Sequence, residues 1–173
     1  MELRHKYRRI ELSTWKRRAH FEVFGRGDYP YDGVTTTVDV SKLLEVCRRR
    51  ELRFFNAVLY LVTRAMNGVE NFRYRLYEDQ VILCDQTDPS FNVLNTETEL
   101  FYFAYTEFNR DYRKFDADVE AAKKFALETS NLGGNRLDVF YISCLPRFGF
   151  TDIIQPMGLS ANDSIPPLRL GEV

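Results

Sequence analysis

The chain has 173 residues with net charge -1, 45% hydrophobic and 14% aromatic content, which describes one folded domain with a real core and not a disordered chain. The charge balance offers no basic stripe for nucleic acid and no field for an anionic membrane. Cys47, Cys84 and Cys144 are far apart and form no CxxC, so they read as core thiols in a reducing compartment, not as bridges or metal ligands. The charged start (Glu2, Arg4, Lys6, Arg8, Arg9) holds no signal-peptide run, and the apolar stretch 57–65 is broken by Thr63 and Arg64. A cytoplasmic protein with no membrane span is expected.

Residues 1–9 read as a polar lead-in that includes His5. Thr14 is placed to cap a helix over Trp15–Phe24 that carries Arg17 and His20. Gly25, Gly27, Asp28, Pro30, Asp32 and Gly33 punctuate a loop. Val34-Thr35-Thr36-Thr37-Val38-Asp39-Val40 alternates with β-branched residues and predicts a strand. Ser41 is the expected cap of a helix to Arg50, with Leu43, Leu44 and Cys47 inward. A second helix spans about Phe54–Gly68, its apolar face formed by Phe54, Ala57, Val58, Leu61, Val62, Ala65 and Met66.

Segments 72–77 and 80–84 flank Glu78-Asp79 as a hairpin. Ser90–Leu94 and the aromatic run Leu100–Tyr105 follow as short strands. A long amphipathic helix is expected over about Asn109–Glu128, with Tyr112, Phe115, Val119, Ala122 and Ala126 on one face. Leu137–Pro146 is a strand apolar on both faces, so it belongs inside a sheet that is covered, or nearly so, on both sides. Between Arg147 and Val173 the pattern gives neither a closing strand nor a helix. Grouped strands with interspersed helices make the fold class α+β, a two-layer sandwich with a mostly antiparallel mixed sheet.

Enzyme constellations are scarce. The two histidines show no spacing that pairs either with Ser143 or Cys144. Asp85 and Asp88, or Glu97 and Glu99, could be paired carboxylates, but they read more readily as solvated loop or strand-edge charges. There is no glycine-rich phosphate loop and no metal-ligand cluster. Ser143, at the exit of the buried strand, is either a hydroxyl donor or a small packed residue. The aromatic run could line an apolar ligand pocket or form a core or oligomer face.

Several motifs together resemble those of the chloramphenicol acetyltransferases. Trp15-Lys16-Arg17-Arg18-Ala19-His20-Phe21-Glu22 is similar to the family's W-x-R-x-x-H-F-E opening. Glu70-Asn71-Phe72-Arg73 resembles its E-F-R, and Asp85–Val93 its W-D-x-x-x-P-x-[FY]-T-V. Glu97-Thr98-Glu99-Leu100-Phe101 resembles E-T-x-T-F, and Tyr141-Ile142-Ser143-Cys144-Leu145-Pro146 resembles N-x-S-x-x-P-W. The resemblance implies an acetyl-CoA-dependent acyltransferase fold, acetyl-CoA as cosubstrate, transfer to the 3-hydroxyl of chloramphenicol or a similar acceptor, and a homotrimer. It implies that Ser143 donates to the oxyanion, that Phe24, Phe101 and Phe103 line the antibiotic pocket, and that Arg17 supports the site.

Departures accompany the likeness. Tyr141 stands for the motif's Asn, Arg147 for its Trp, Arg169 for a threonine and Glu172 for a lysine. Phe103 is bulkier than the small residue usual at its place. The sequence given ends at Leu170-Gly171-Glu172-Val173, before the family's H-H-x-x-x-D-G motif, whose histidine is the general base. The expectation is a single chloramphenicol acetyltransferase-like domain over 1–173 with its closing strand and last helix missing. As it stands it would be inactive, with a non-catalytic ligand-binding or oligomer-forming remnant as the alternative. A variant acting on another acceptor is a third option.

Overall fold

The computed structural model describes residues 1–25, 27, 32–149 and 164–172, with the side chains of 146–149 and 172 left aside. The element order is β1 (Tyr7–Arg9), α1 (Arg18–Phe24), α2 (Ser41–Arg50), α3 (Phe54–Gly68), a 3-10 turn (Glu70–Arg73), β2 (Tyr74–Tyr77), β3 (Gln80–Cys84), β4 (Asp88–Leu94), β5 (Phe101–Tyr105), α4 (Tyr112–Thr129), β6 (Val139–Gly149) and β7 (Pro167–Glu172). Two sheets form, one in the order β1-β3-β2 and one in the order β5-β4-β6-β7. β1 and β2 run antiparallel to β3, and β5 antiparallel to β4. β6 runs parallel to both β4 and β7. The α+β expectation holds, with parallel pairing concentrated around β6.

Parallel strands cannot be joined by a tight turn and need a crossover. Between β4 and β6 that crossover includes α4. Asp111 caps α4, its carboxylate accepting from Arg113 N at 2.8 Å and Lys114 N at 3.4 Å, and Phe115, Val119 and Ala126 are buried along one face. They join Leu59 and Met66 of α3 and Phe91, Tyr102, Ala104, Phe140 and Ile142 of the sheet in the main core. The helices α3 and α4 thus cover one face of the four-stranded sheet. A smaller cluster on the other side of β6 holds Ile82, Cys84, Leu137, Val139 and Ile165. β6 therefore has a core on each side at its start, as its two apolar faces require.

The hairpin β2–β3 turns at Glu78 and Asp79, both at positive φ (49 and 58), the I′ geometry that matches strand twist. Several local expectations fail for identifiable reasons. The first helix starts at Arg18, not Trp15, and Thr14 donates its hydroxyl to Glu11 O instead of capping. Trp15 packs on Tyr74 and Phe21, so contact with β2 holds the residue ahead of the helix. Residues 34–40 form no strand, and Val34, Val38 and Val40 are exposed. β propensity expresses fit to a neighbouring pleated surface, and no described strand pairs with this segment.

Ser41 is the first residue of α2, and Asp39 accepts from its N–H at 2.9 Å. Val40 holds the N-cap position and makes no side-chain cap bond, so the expected serine cap is absent. In α3 the buried positions are Asn56, Ala57, Leu59, Thr63 and Met66, while Phe54 and Leu61 are exposed. The face is rotated because Asn56 binds Asp116 and Glu120 and accepts from Lys123 on α4. The end of the chain, read as holding neither strand nor helix, contains β7, paired to β6 from Tyr141↔Pro167 to Leu145↔Gly171.

Residues 2–10 are not a loose lead-in. Glu2 N donates to Asn135 O, Leu137 N to Glu2 O, Asp85 N to Lys6 O and Ile10 N to Val81 O. This strap runs across both sheets. No helix among the described residues is long and apolar enough to cross a membrane.

Candidate active site

Strand alternation sorts the four-stranded sheet into two faces. Phe91, Val93, Tyr102, Ala104, Phe140, Ile142, Leu168 and Leu170 belong to the main core under the helices. The residues between them point the other way. Register places Ser143 opposite Arg169 and Asn92 opposite Phe103. Since Phe91 pairs with Ile142 in parallel register, Asn92 and Ser143 are the next residues along their strands. One row across the sheet therefore reads Phe103, Asn92, Ser143, Arg169.

Strands are about 4.8 Å apart, so the backbones at Phe103 and Ser143 are about 10 Å apart. Phe101 lies two residues before Phe103 on the same face, and their rings meet edge to face with centroids 5.7 Å apart. The start of this face is closed by Val139 and the small core. Further along it opens, with Tyr141 at 38% exposure, Phe101 at 52% and Ser143 partly exposed. A partly shielded hydroxyl between an amide and a guanidinium in register, with two phenyl rings one strand further on the same face, can donate to a developing negative charge beside an apolar seat for an aromatic acceptor.

The aromatic run is thus divided. Tyr102 and Ala104 are core, Phe101 and Phe103 face outward, and Tyr105 packs against the small core. The turn at Gly133-Gly134 lies over this surface, and a Cβ on Gly134 would meet the Tyr105 hydroxyl oxygen at 2.9 Å. Beside Tyr105, the Ser90 Oγ is buried with no hydrogen-bond partner among the described residues.

Phe24 and Arg17 belong to a second group. They line a surface concavity with Trp15, His20 and Phe21. Phe24 is 68% exposed and its ring stacks on His20, with centroids 6.4 Å apart and planes 22° apart. Arg17 is exposed at the N-cap position of α1. Among the described residues, ring contacts join Phe101 to Phe103 and Phe24 to His20.

A charged cluster went unread in the sequence. Asp88, expected in solvent, is fully buried at the start of β4. Its Oδ2 accepts from Arg136 Nη2 at 2.7 Å and sits 2.8 Å from His5 Nε2, while Oδ1 accepts from Phe108 N at 2.9 Å and Gln86 Nε2 at 3.1 Å. Asp138 Oδ1 accepts from Arg136 Nε at 2.9 Å, and Oδ2 accepts from Arg4 N at 2.6 Å and His5 N at 2.8 Å. Burial presses the Asp88 carboxyl upward, but His5, the Phe108 N–H and Arg136 together hold it below its ordinary value. The hydrogen bond to Asp88 raises His5 against the opposing effect of burial. The signal available was Asp138 itself: a carboxylate between Leu137 and Val139 at the mouth of an apolar strand must be paired.

Residues 5–163 match the family model described as chloramphenicol acetyltransferase. The chain is 32% identical over 151 residues to chloramphenicol acetyltransferase 2 of Escherichia coli, an alignment covering 83% of this chain and 69% of that protein. It is 30% identical over 115 residues to chloramphenicol acetyltransferase 2 of Haemophilus influenzae, covering 66% and 54%, and 26% identical to a Klebsiella sp chloramphenicol acetyltransferase over 96% and 77%. A solved chloramphenicol acetyltransferase superposes with a TM-score of 0.80 at 23% identity, covering 96% of this chain and 82% of that one. The fold is therefore that of an α+β acyltransferase. The chain belongs to the chloramphenicol acetyltransferase family.

Proposed function

We propose that this chain provides the serine and aromatic side of an O-acetyl transfer site, with acetyl-CoA as donor and chloramphenicol or a similar hydroxylated aromatic as acceptor. We further propose that a polypeptide of these 173 residues binds without turning over. The observation that carries the reading is the placement of Ser143 on the open sheet face that bears Phe101 and Phe103. Phe24 and Arg17 enter it by family resemblance, as does assembly into a cytoplasmic homotrimer.

The chemistry follows from what each group can do. The acceptor hydroxyl oxygen attacks the thioester carbonyl carbon, the C–O bond forms and the C–S bond breaks. CoA leaves as a thiolate and takes up a proton. The Ser143 hydroxyl donates to the carbonyl oxygen as it becomes anionic, an effect worth about 10²–10³ in rate. Phe101 and Phe103 hold the acceptor's apolar body so that its hydroxyl meets the thioester.

The acceptor's proton must go to a base, a contribution of about 10²–10⁴. His5 is engaged by Asp88 at the start of β4, about 13 Å along the strands from the Ser143 row. His20 lies on α1 against Phe24. In this reading neither serves as that base. The test is CoA release from acetyl-CoA with chloramphenicol, alongside calorimetric titration of each ligand. Binding without CoA release is expected. Release that falls by about 10²–10³ in the S143A variant would refute the absence of turnover, and failure to bind either ligand would refute the site.

A further inference from the structure

The strap formed by residues 2–10 is held by backbone hydrogen bonds and by a buried charged cluster. Residues 2–5 dock on 135–138, and residues 6–10 dock on 81–85. The two halves meet at His5, whose N–H is bound by Asp138 and whose ring is bound by Asp88. From β4 His5 faces Asp88, and from the approach to β6 it faces Arg136 and Asp138. β3 adds Cys84 close to Asp138, but burial pushes that thiol up to about 11 and it stays neutral. Around His5 stand two carboxylates and the Arg136 guanidinium, and a protonated His5 balances these three groups. Behind them Arg75 of β2, also buried, donates to the Leu137 and Val139 carbonyls on either side of Asp138.

We propose that His5 is a proton-operated latch: protonated, it completes the charge balance of Asp88, Arg136 and Asp138 and fastens the N-terminal strap across the two sheets, and neutral, it lets the strap open more often. Loss of the proton does not break the contact. A neutral imidazole still donates from Nε2, but a neutral hydrogen bond is weaker than a charge-assisted one. A raised His5 value has a defined sign. The added stability is fully present below the ordinary value of 6.5 and is lost as pH rises through the higher folded value. The strap should therefore loosen on the alkaline side of neutrality.

The measurement is amide hydrogen exchange of the full chain at about pH 5.5 and about pH 8.5, corrected for intrinsic exchange, on the natural sequence and on His5→Gln. The population of opened strap, read at the Glu2, Arg4 and His5 amides, should rise about fivefold across this range in the natural sequence, the factor separating charge-assisted from neutral hydrogen bonds. The corresponding amides in His5→Gln should show no such rise. An equal rise in both proteins, or none in the natural one, overturns the proposal. Should His5→Gln not fold, imidazole NMR on the natural chain decides. A His5 signal titrating above 6.5 in step with strap opening supports the latch, and one titrating at or below 6.5 refutes it.

Discussion

Asp138→Ala is the substitution whose cost the structure specifies best. Asp138 is fully buried and serves three partners: the backbone N–H of Arg4, the backbone N–H of His5, and the Arg136 guanidinium. Removing it leaves Arg136 with Asp88 as its remaining carboxylate in the cluster. Breaking one side of a buried ion pair costs about 3–5 kcal/mol, and here Asp88 still compensates part of that. Two orphaned N–H groups cost about 1–3 kcal/mol each if they stay buried, but the strap can lift and expose them to water, which caps that loss. The balance is about 4 kcal/mol. For a chain of this size that lowers Tm by about 8–16 °C. Urea unfolding followed by circular dichroism gives the free energy directly, and Asp138→Asn, which keeps one acceptor oxygen, should lose less. An Asp138→Ala protein within about 1 kcal/mol of the natural one would show that the cluster behaves as a solvent-screened pair, and the burial argument would fail.

Other outcomes follow from single contacts. Phe140, fully buried in the main core with Leu59, Phe115 and Val119, should cost about 3–5 kcal/mol when changed to Ala, read by denaturant midpoint. Ser90→Ala removes a buried hydroxyl without a described partner and should leave stability unchanged or raise it by about 1 kcal/mol; a loss above that would reveal a bond to Ser90. Acid should destabilise the chain through Asp88. Its depressed value contributes stability that is complete above the ordinary 3.8 and is lost as pH falls through the lower folded value. With His5, whose contribution is complete below 6.5, the pair contributes most between those two values, and a flat stability profile from pH 3 to 8 would contradict it.

Pattern carried most of the elements. The α3, hairpin, α4 and β6 elements stand where periodicity put them, but burial follows the expected face fully only in α4; in α3 Phe54 and Leu61 are exposed and in β6 Tyr141 is. The 34–40 segment shows the converse: Val34, Val38 and Val40 alternate like a strand yet have no described sheet to join, since pairing is a property of two segments and not one. The placement of Ser143 with Phe101 and Phe103 was not legible from spacing, because β5, β4 and β6 come together only through register. Motif resemblance alone named those residues as a set. The charged cluster was missed because His5, Asp88 and Arg136 look like ordinary surface residues when taken singly. Asp138 was the exception, a carboxylate inside an apolar run.

The strap also bears on the order in which the molecule can be made. Arg4 and His5 find their acceptor 134 and 133 positions later in the chain, so these residues are synthesised long before the carboxylate that satisfies them. Until Asp138 has emerged, β1 and β3 can pair while the segment before them stays open. A fusion or tag placed ahead of Glu2, whose amide binds Asn135 at 2.6 Å, burdens that late docking step. Its cost would show in the yield of folded chains more than in the stability of those that complete it.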